Sequence, residues 1–548
     1  MAPVLATALG LLLIAALLIG ICWPLSTWLH QVITDERHWR VERLLYRAAG
    51  VDATTEQRWS TYALSVIAFG VVSVLALWAL ILAQSWLPWS FGRAQTWHGA
   101  LNTAISFTTN TNWQSYAGEA GAGHTVSMLG LTVQNFVSAA TGMAVAAALL
   151  RGLSRSATDR VGNFWVDLTR ATVRVLLPIA VIGAGLLVIG GVVQNLDAPR
   201  HIITISGDPQ TLQGGAVASQ EVIKLLGTNG GGIFNANSAH PLENPNAWTN
   251  LLQILLVLMI PFALTRTYGL MVGDRRQGRL LAIVMGVFAA GSALLTAWSE
   301  TVAARGATGA MEGKEVRFGI AGSVLFGTAT TGTSTGAVNS MHESYSALGG
   351  GLYLLNMMLG EVSPGGVGTG LYGMLVMVVL TVFIAGLMVG RTPELLGKTV
   401  GRAEITYAAL ASIVMPALVL IGTAAALVIP VSRAALLGEG PRGLTEMLYA
   451  YTSASNNNGS AYAGLSADQP YLNLTLGLAM FLARFGIITL TLALAGAFAR
   501  QARRPVTTGT LPTHTPVFAG LLIGIILLLA GLTFFPALAL GPLAEALA

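Results

Sequence analysis

A chain of 548 residues in which 54% are hydrophobic and only 10% charged, with a mean hydropathy of +0.67, cannot cover a water-soluble surface, so its solvent is the bilayer. Its formal charge of +5 is spread in small clusters between apolar blocks, which excludes a nucleic-acid-binding patch. Cys22 stands alone, which excludes an internal disulfide and a cysteine-based metal cluster.

In chain order, apolar blocks of spanning length run from Leu5 to Cys22, Tyr62 to Leu82, Met128 to Leu150, Val175 to Val193 and Leu251 to Leu264. They continue from Leu280 to Trp298, Leu371 to Met388, Ile405 to Ile429, Tyr471 to Ala499 and Val517 to Phe535. About twenty residues cross the hydrocarbon core as helix, so an all-α, multi-pass protein of about ten spans is predicted. Met1-Ala2-Pro3 lacks the positive start of a signal peptide, so the first block is predicted to be a span. Basic residues gather on alternate connections: Arg37, Arg40, Arg43 and Arg47; Arg151, Arg155 and Arg160; Arg275, Arg276 and Arg279; Arg391, Lys398 and Arg402; Arg500, Arg503 and Arg504. The positive-inside rule makes those connections cytoplasmic and both termini extracytoplasmic.

Each of four intervening connections carries a segment of about a dozen residues, too short to span, followed by a polar run. These are Trp97 to Phe107 before Thr108-Thr109-Asn110-Thr111-Asn112, and Ser219 to Leu226 before Gly227-Thr228-Asn229-Gly230-Gly231-Gly232. The third is Phe318 to Phe326 before Thr330-Thr331-Gly332-Thr333-Ser334-Thr335-Gly336, and the fourth Leu444 to Tyr451 before Thr452-Ser453-Ala454-Ser455-Asn456-Asn457-Asn458-Gly459. The recurrence predicts four repeats of span, pore helix, loop and span over 60–150, 168–270, 279–390 and 405–500. Residues 1–50 and 510–548 supply the outlying first and last spans. Irregular backbone cannot face lipid, so these loops either line a path through the membrane or lie outside it as ordinary polar connections. Meeting on one pseudo-fourfold axis, they would form a selectivity filter whose carbonyl oxygens replace a cation's hydration shell. Pore helices ending there would aim their negative dipole ends at the ion.

Gly360-Glu361-Val362-Ser363-Pro364-Gly365-Gly366-Val367-Gly368 interrupts a hydrophobic stretch and predicts either a helix broken within the membrane, with a flexible gate at Gly365 and Gly366 beneath the filter, or an extended surface loop. Arg484 lies inside the ninth span, where a cation needs a polar cavity or a carboxylate; Glu361 is the predicted partner, in a structural ion pair or in the transport path. His98, His124, His240 and His342 lack metal-ligand spacing and are expected to brace outer loops. No nucleotide-binding loop and no Asp-Lys-Thr-Gly phosphorylation site occur, so energy must come from another chain or from an ion gradient.

Thr109 to Tyr116, Thr228 to Gly232 with Asn235 to Pro241, Gly336 to His342 and Thr452 to Ala461 together resemble the potassium-binding A subunit of the bacterial Kdp-type potassium-transporting ATPase, over essentially the whole chain. The resemblance implies potassium filter positions at Asn110 with Thr111, at Thr228 with Asn229 and Gly230, at Thr335 with Gly336, and at Asn457 with Asn458 and Gly459. Gly332 aligns equally well in the third repeat. Gln114 would tune affinity at the entrance, and Glu361, Arg391 and Arg484 would lie along the exit. Expected partners are a P-type ATPase catalytic chain, which uses the ATP, and small accessory membrane subunits, in the bacterial plasma membrane. Potassium is the expected ion, without an organic cofactor. A stand-alone channel or cation symporter of the same superfamily is the alternative. A membrane enzyme acting on lipid or quinone would need histidines or carboxylates clustered at one depth.

Overall fold

The computed structural model describes residues 2–303, 311–388, 390–505 and 510–547. Among the described residues, ten helices are long and apolar enough to cross a membrane: Ala2–Thr34, Trp59–Leu82, Val126–Ser154, Phe164–Ile189, Ala247–Met271, Arg275–Val302, Thr369–Met388, Arg402–Val428, Pro470–Arg500 and Pro516–Leu547. Most outrun the apolar blocks that announce them. The first, expected from Leu5 to Cys22, continues twelve residues further because polar Thr27, His30 and Gln31 sit at its far end, where a helix emerges from hydrocarbon.

Burial divides the spans into two shells. In the third, fifth, seventh and ninth, 61–89% of the most apolar window is buried; in the other six, 17–44% is. The inner four are the second spans of the four repeats, so each repeat contributes one inner and one lipid-facing helix. Between them lie the pore helices Trp97–Thr108, Val217–Leu226, Gly319–Gly332 and Gly440–Ser455. At 1.5 Å per residue the 12-residue first pore helix is about 18 Å long, roughly half of the hydrocarbon core. The third was expected from Phe318 to Phe326 but continues to Gly332, because small buried residues from Gly327 onward pack in a helix as readily as apolar ones.

The first and last described helices reach the face of the pore helices. Near the start of the chain a Cβ on Gly10 would touch Leu325 of the third pore helix, and near the end Arg442 of the fourth pairs with Glu545 at 3.1 Å. The basic connections gather on the opposite face. There Arg151 donates to both oxygens of Asp167 at 2.7 Å, and Lys398 donates at 2.8 Å to the carbonyls of Gly152 and Phe498 at two span C-termini, which carry the negative helix dipole. Tyr62 adds a third hydrogen bond to Asp167 at 2.9 Å, tying the second span to the third and fourth. Asp167→Ala strands the Arg151 guanidinium in a buried site and is expected to cost about 3–5 kcal/mol. A lowered denaturation midpoint in detergent measures this; an unchanged midpoint contradicts it.

The third repeat differs from the others in its second half. The helix Ala347–Met358 stops, residues 359–368 form a loop, and Thr369–Met388 resumes. Glu361 to Gly368 are buried, so the surface-loop alternative is overturned: the helix is broken inside the protein.

Candidate functional site

Two successive backbone features recur at the end of every pore helix. The first is a residue in the left-handed region: Asn110 (φ 69°), Thr228 (48°), Ser334 (53°) and Asn457 (55°). That turn sends the next N–H back onto the helix, to the carbonyl five residues earlier. Thr111 donates to Ser106 at 3.0 Å, Asn229 to Lys224 at 2.7 Å, Thr335 to Thr330 at 3.2 Å and Asn458 to Ser453 at 2.9 Å. The third position holds Asn112, Gly230, Gly336 and Gly459. A β-branched residue such as Thr228 is strained at positive φ, and its hydroxyl accepts the Val367 N–H at 2.9 Å.

This register decides between the two alignments of the third repeat: Gly336 takes the position of Gly230 and Gly459, and Gly332 ends the pore helix. In the same register Thr335 corresponds to Asn229, and the counterpart of Thr228 is Ser334. Ser334 and Asn112 were missed because a shared dihedral angle leaves no mark in composition.

The four loops close into a ring. A Cβ on Gly230 would stand 2.7 Å from the Thr335 carbonyl oxygen, one on Gly336 2.1 Å from that of Asn458, and one on Gly459 2.0 Å from that of Thr111. Real Cβ atoms do not come so close, so glycine is required wherever one loop's backbone lies on the next loop's carbonyl. The fourth junction uses side chains: Asn112 Oδ1 accepts from Asn229 Nδ2 at 2.9 Å. Further braces cross between loops. Asn110 Nδ2 donates to the Thr228 carbonyl at 2.9 Å, Asn457 Nδ2 to Thr111 Oγ1 at 3.0 Å, and Asn458 Nδ2 to the Thr330 carbonyl at 2.9 Å.

The broken helix lies directly against this ring. Gly365 N–H donates to the Gly332 carbonyl at 2.7 Å, and a Cβ on Gly366 would meet the Thr333 carbonyl oxygen at 3.1 Å. On its other side, a Cβ on Gly368 would fall 2.0 Å from the Gly142 carbonyl oxygen of the third span. Beside the loop is a cavity of about 100 Å³ lined by Glu361, Thr369, Tyr372, Asn457 and Arg484, among others. The predicted contact between Arg484 and Glu361 is not formed. Arg484 instead donates to the Ser138 carbonyl at 3.2 Å, while Glu361 Oε1 is buried without a hydrogen-bond partner. The helix break carries Glu361 to the cavity wall rather than onto the guanidinium, so the two share a chamber without pairing.

At the other face of the ring, Gln114 is held between loops. Its Oε1 accepts the Gly232 N–H at 2.9 Å and its Nε2 donates to Tyr116 Oη at 3.1 Å. Arg391 is exposed just beyond the seventh span, away from the cavity. The outer histidines join neighbouring segments: His98 Nδ1 accepts from Asn473 Nδ2 at 2.9 Å, His124 contacts the Asp197 carbonyl at 2.9 Å, His240 stacks on Phe234 and His342 bonds Tyr449 at 2.8 Å.

Chemically, the ring gathers neutral oxygens of peptide, hydroxyl and amide groups, a donor set suited to a weakly hydrated monovalent cation. Residues 12–547 match the model of a family described as Potassium-transporting ATPase A subunit. A potassium-transporting ATPase potassium-binding subunit from Kineococcus radiotolerans is 58% identical, over 98% of this chain and 97% of the relative. The protein of the same description from Streptomyces coelicolor is 56% identical over 100% of both chains. Among solved structures, the potassium transporter TrkH from Vibrio parahaemolyticus superposes with a TM-score of 0.51 at 13% identity, covering 77% of this chain and 83% of that one. At that identity the likeness is one of fold.

Proposed function

This chain belongs to the family of potassium-transporting ATPase A subunits, and from that premise we propose that it binds potassium in the ring of pore loops and passes it on within an ATP-driven uptake assembly. One observation carries the reading: four loops of different sequence adopt one backbone register and meet edge to edge in a closed ring. Dissimilar loops have no packing reason to share such a turn unless their oxygens serve one object on the axis.

In this reading the basic face is cytoplasmic, and the ring and both termini are extracytoplasmic, in a bacterial plasma membrane. Potassium enters past Gln114, loses water among residues 110–112, 228–230, 334–336 and 457–459, and is stopped by the loop at Glu361 to Gly368. Arg484 keeps a positive charge in the cavity beneath, so a cation does not rest there. ATP is used by a separate P-type catalytic chain, accompanied by small accessory membrane subunits.

The test is to purify the chain from its native membrane with whatever accompanies it. A co-purifying phosphorylatable chain whose ATP hydrolysis rises with potassium supports the proposal. A solitary chain that passes potassium without ATP overturns it in favour of a channel.

Gln114→Arg places a fixed cation where the first loop meets the second and removes the acceptor of the Gly232 N–H. The potassium concentration for half-maximal uptake is expected to rise by about tenfold or more. An unchanged value would remove Gln114 from the entrance.

A further inference from the structure

The carbonyl that receives the returning loop N–H belongs to Ser106, Lys224, Thr330 and Ser453 in the four repeats. Three repeats place a small hydroxyl residue there, and the second places a lysine. In the fourth repeat that hydroxyl supports the third loop position, since Ser453 Oγ accepts the Gly459 N–H at 2.9 Å. Lys224 reaches one residue further along its own loop and donates to the Gly231 carbonyl at 3.0 Å. Among the described residues it is the one charged side chain that donates to a carbonyl of the four loops.

Its ammonium is fully buried and sits between two buried carboxylates: Glu221, one turn earlier on the pore helix at 2.6 Å, and Glu243, from the chain that returns over the loop. Glu221 is fixed in turn by Ser238 Oγ at 2.8 Å. The loop backbone rests on this cluster, because a Cβ on Gly232 would lie 3.2 Å from Lys224 Nζ and 3.4 Å from Glu243 Oε1. The Gly231 carbonyl is thus held by Lys224 while Gln114 holds the neighbouring N–H. Burying three charges contributes little net stability compared with apolar packing of the same volume. What the cluster supplies is a fixed geometry.

Building on the ion-binding role argued above, we propose that Lys224, clamped by Glu221 and Glu243, is a positioning residue that sets potassium affinity and selectivity by fixing the Gly230-Gly231-Gly232 segment. It acts on the ion through the Gly231 peptide and does not touch it. The second loop, with three consecutive glycines, has the most backbone freedom of the four and is the one given an ionic clamp.

The experiment measures potassium-dependent uptake and its rubidium-to-potassium half-saturation ratio in the native assembly, for Lys224→Met and Glu243→Gln. Lys224→Met is expected to raise the potassium half-saturation concentration about thirtyfold and to change the ratio, with the maximal rate within about twofold. Glu243→Gln is expected to move the same two quantities about five- to tenfold. Unchanged half-saturation and ratio, with only a lower yield or melting point, overturn the proposal and leave the cluster a folding element. If Lys224→Met fails to assemble, the Glu243→Gln result decides alone, by the same criteria. Gly336→Ser, measured in parallel, separates the two readings: a shift there with none at Lys224 and Glu243 defeats only this inference, whereas no shift at any of the three defeats the ion-binding reading.

Discussion

Gly336→Ser is expected to raise the potassium concentration for half-maximal uptake about a hundredfold or more, and to admit sodium. The side chain must occupy space 2.1 Å from the Asn458 carbonyl oxygen and 2.9 Å from the Gly459 Cα, so the third and fourth loops must part by about 1 Å. The glycine is also at φ 75°, where a serine adds strain. Both effects fall on the ring, because the atoms nearest the added side chain belong to the fourth loop. Gly286→Ala, on the lipid-facing sixth span with open space around its Cα, is the matched control and should leave uptake unchanged. A Gly336→Ser protein with native affinity and selectivity would mean that the ring does not coordinate the ion.

The second large effect is expected from deleting Ser363 to Gly366. This segment carries the Gly365 N–H that bonds Gly332, and it lies wholly in the protein interior against the ring. With it gone, the path below the loops is blocked only by side chains of the cavity. Passive rubidium flux into vesicles, without ATP, is expected to rise about a hundredfold, while potassium binding at the ring persists. Flux that stays at the native level would show that the broken helix is a structural connection and that the barrier lies elsewhere.

Much of this architecture was legible in the residues. The ten spans follow from blocks of apolar sequence, and the pore helices from segments too short to cross. The shared order of short helix and polar run led to four repeats, whose inner and outer spans the burial pattern separates. Gly230, Gly336 and Gly459 were singled out through the family resemblance, and each lies on a neighbouring carbonyl.

Other parts were not legible, because they depend on dihedral angles and on which loops are neighbours. Ser334 shares its turn with Asn110, Thr228 and Asn457, yet four positions filled by Ser, Asn, Thr and Asn show no motif. Asn112 replaces the glycine of the other loops, and its side chain accepts the Asn229 hydrogen bond at that junction. The pairing of Arg484 with Glu361 was plausible from membrane energetics, but the helix break turns the carboxylate to the cavity wall. Lys224 passed as one polar residue on a short helix. Its partner Glu243 lies nineteen residues away, beyond the loop that both support.

The most direct measurement is the anomalous scattering of thallium, a potassium mimic, in crystals of the assembly grown in a thallium salt. The account predicts a peak on the axis of the ring, within coordination distance of backbone oxygens from at least three of the segments 110–112, 228–230, 334–336 and 457–459. A well-ordered ring with no peak on that axis, and thallium bound elsewhere in the chain, would contradict it.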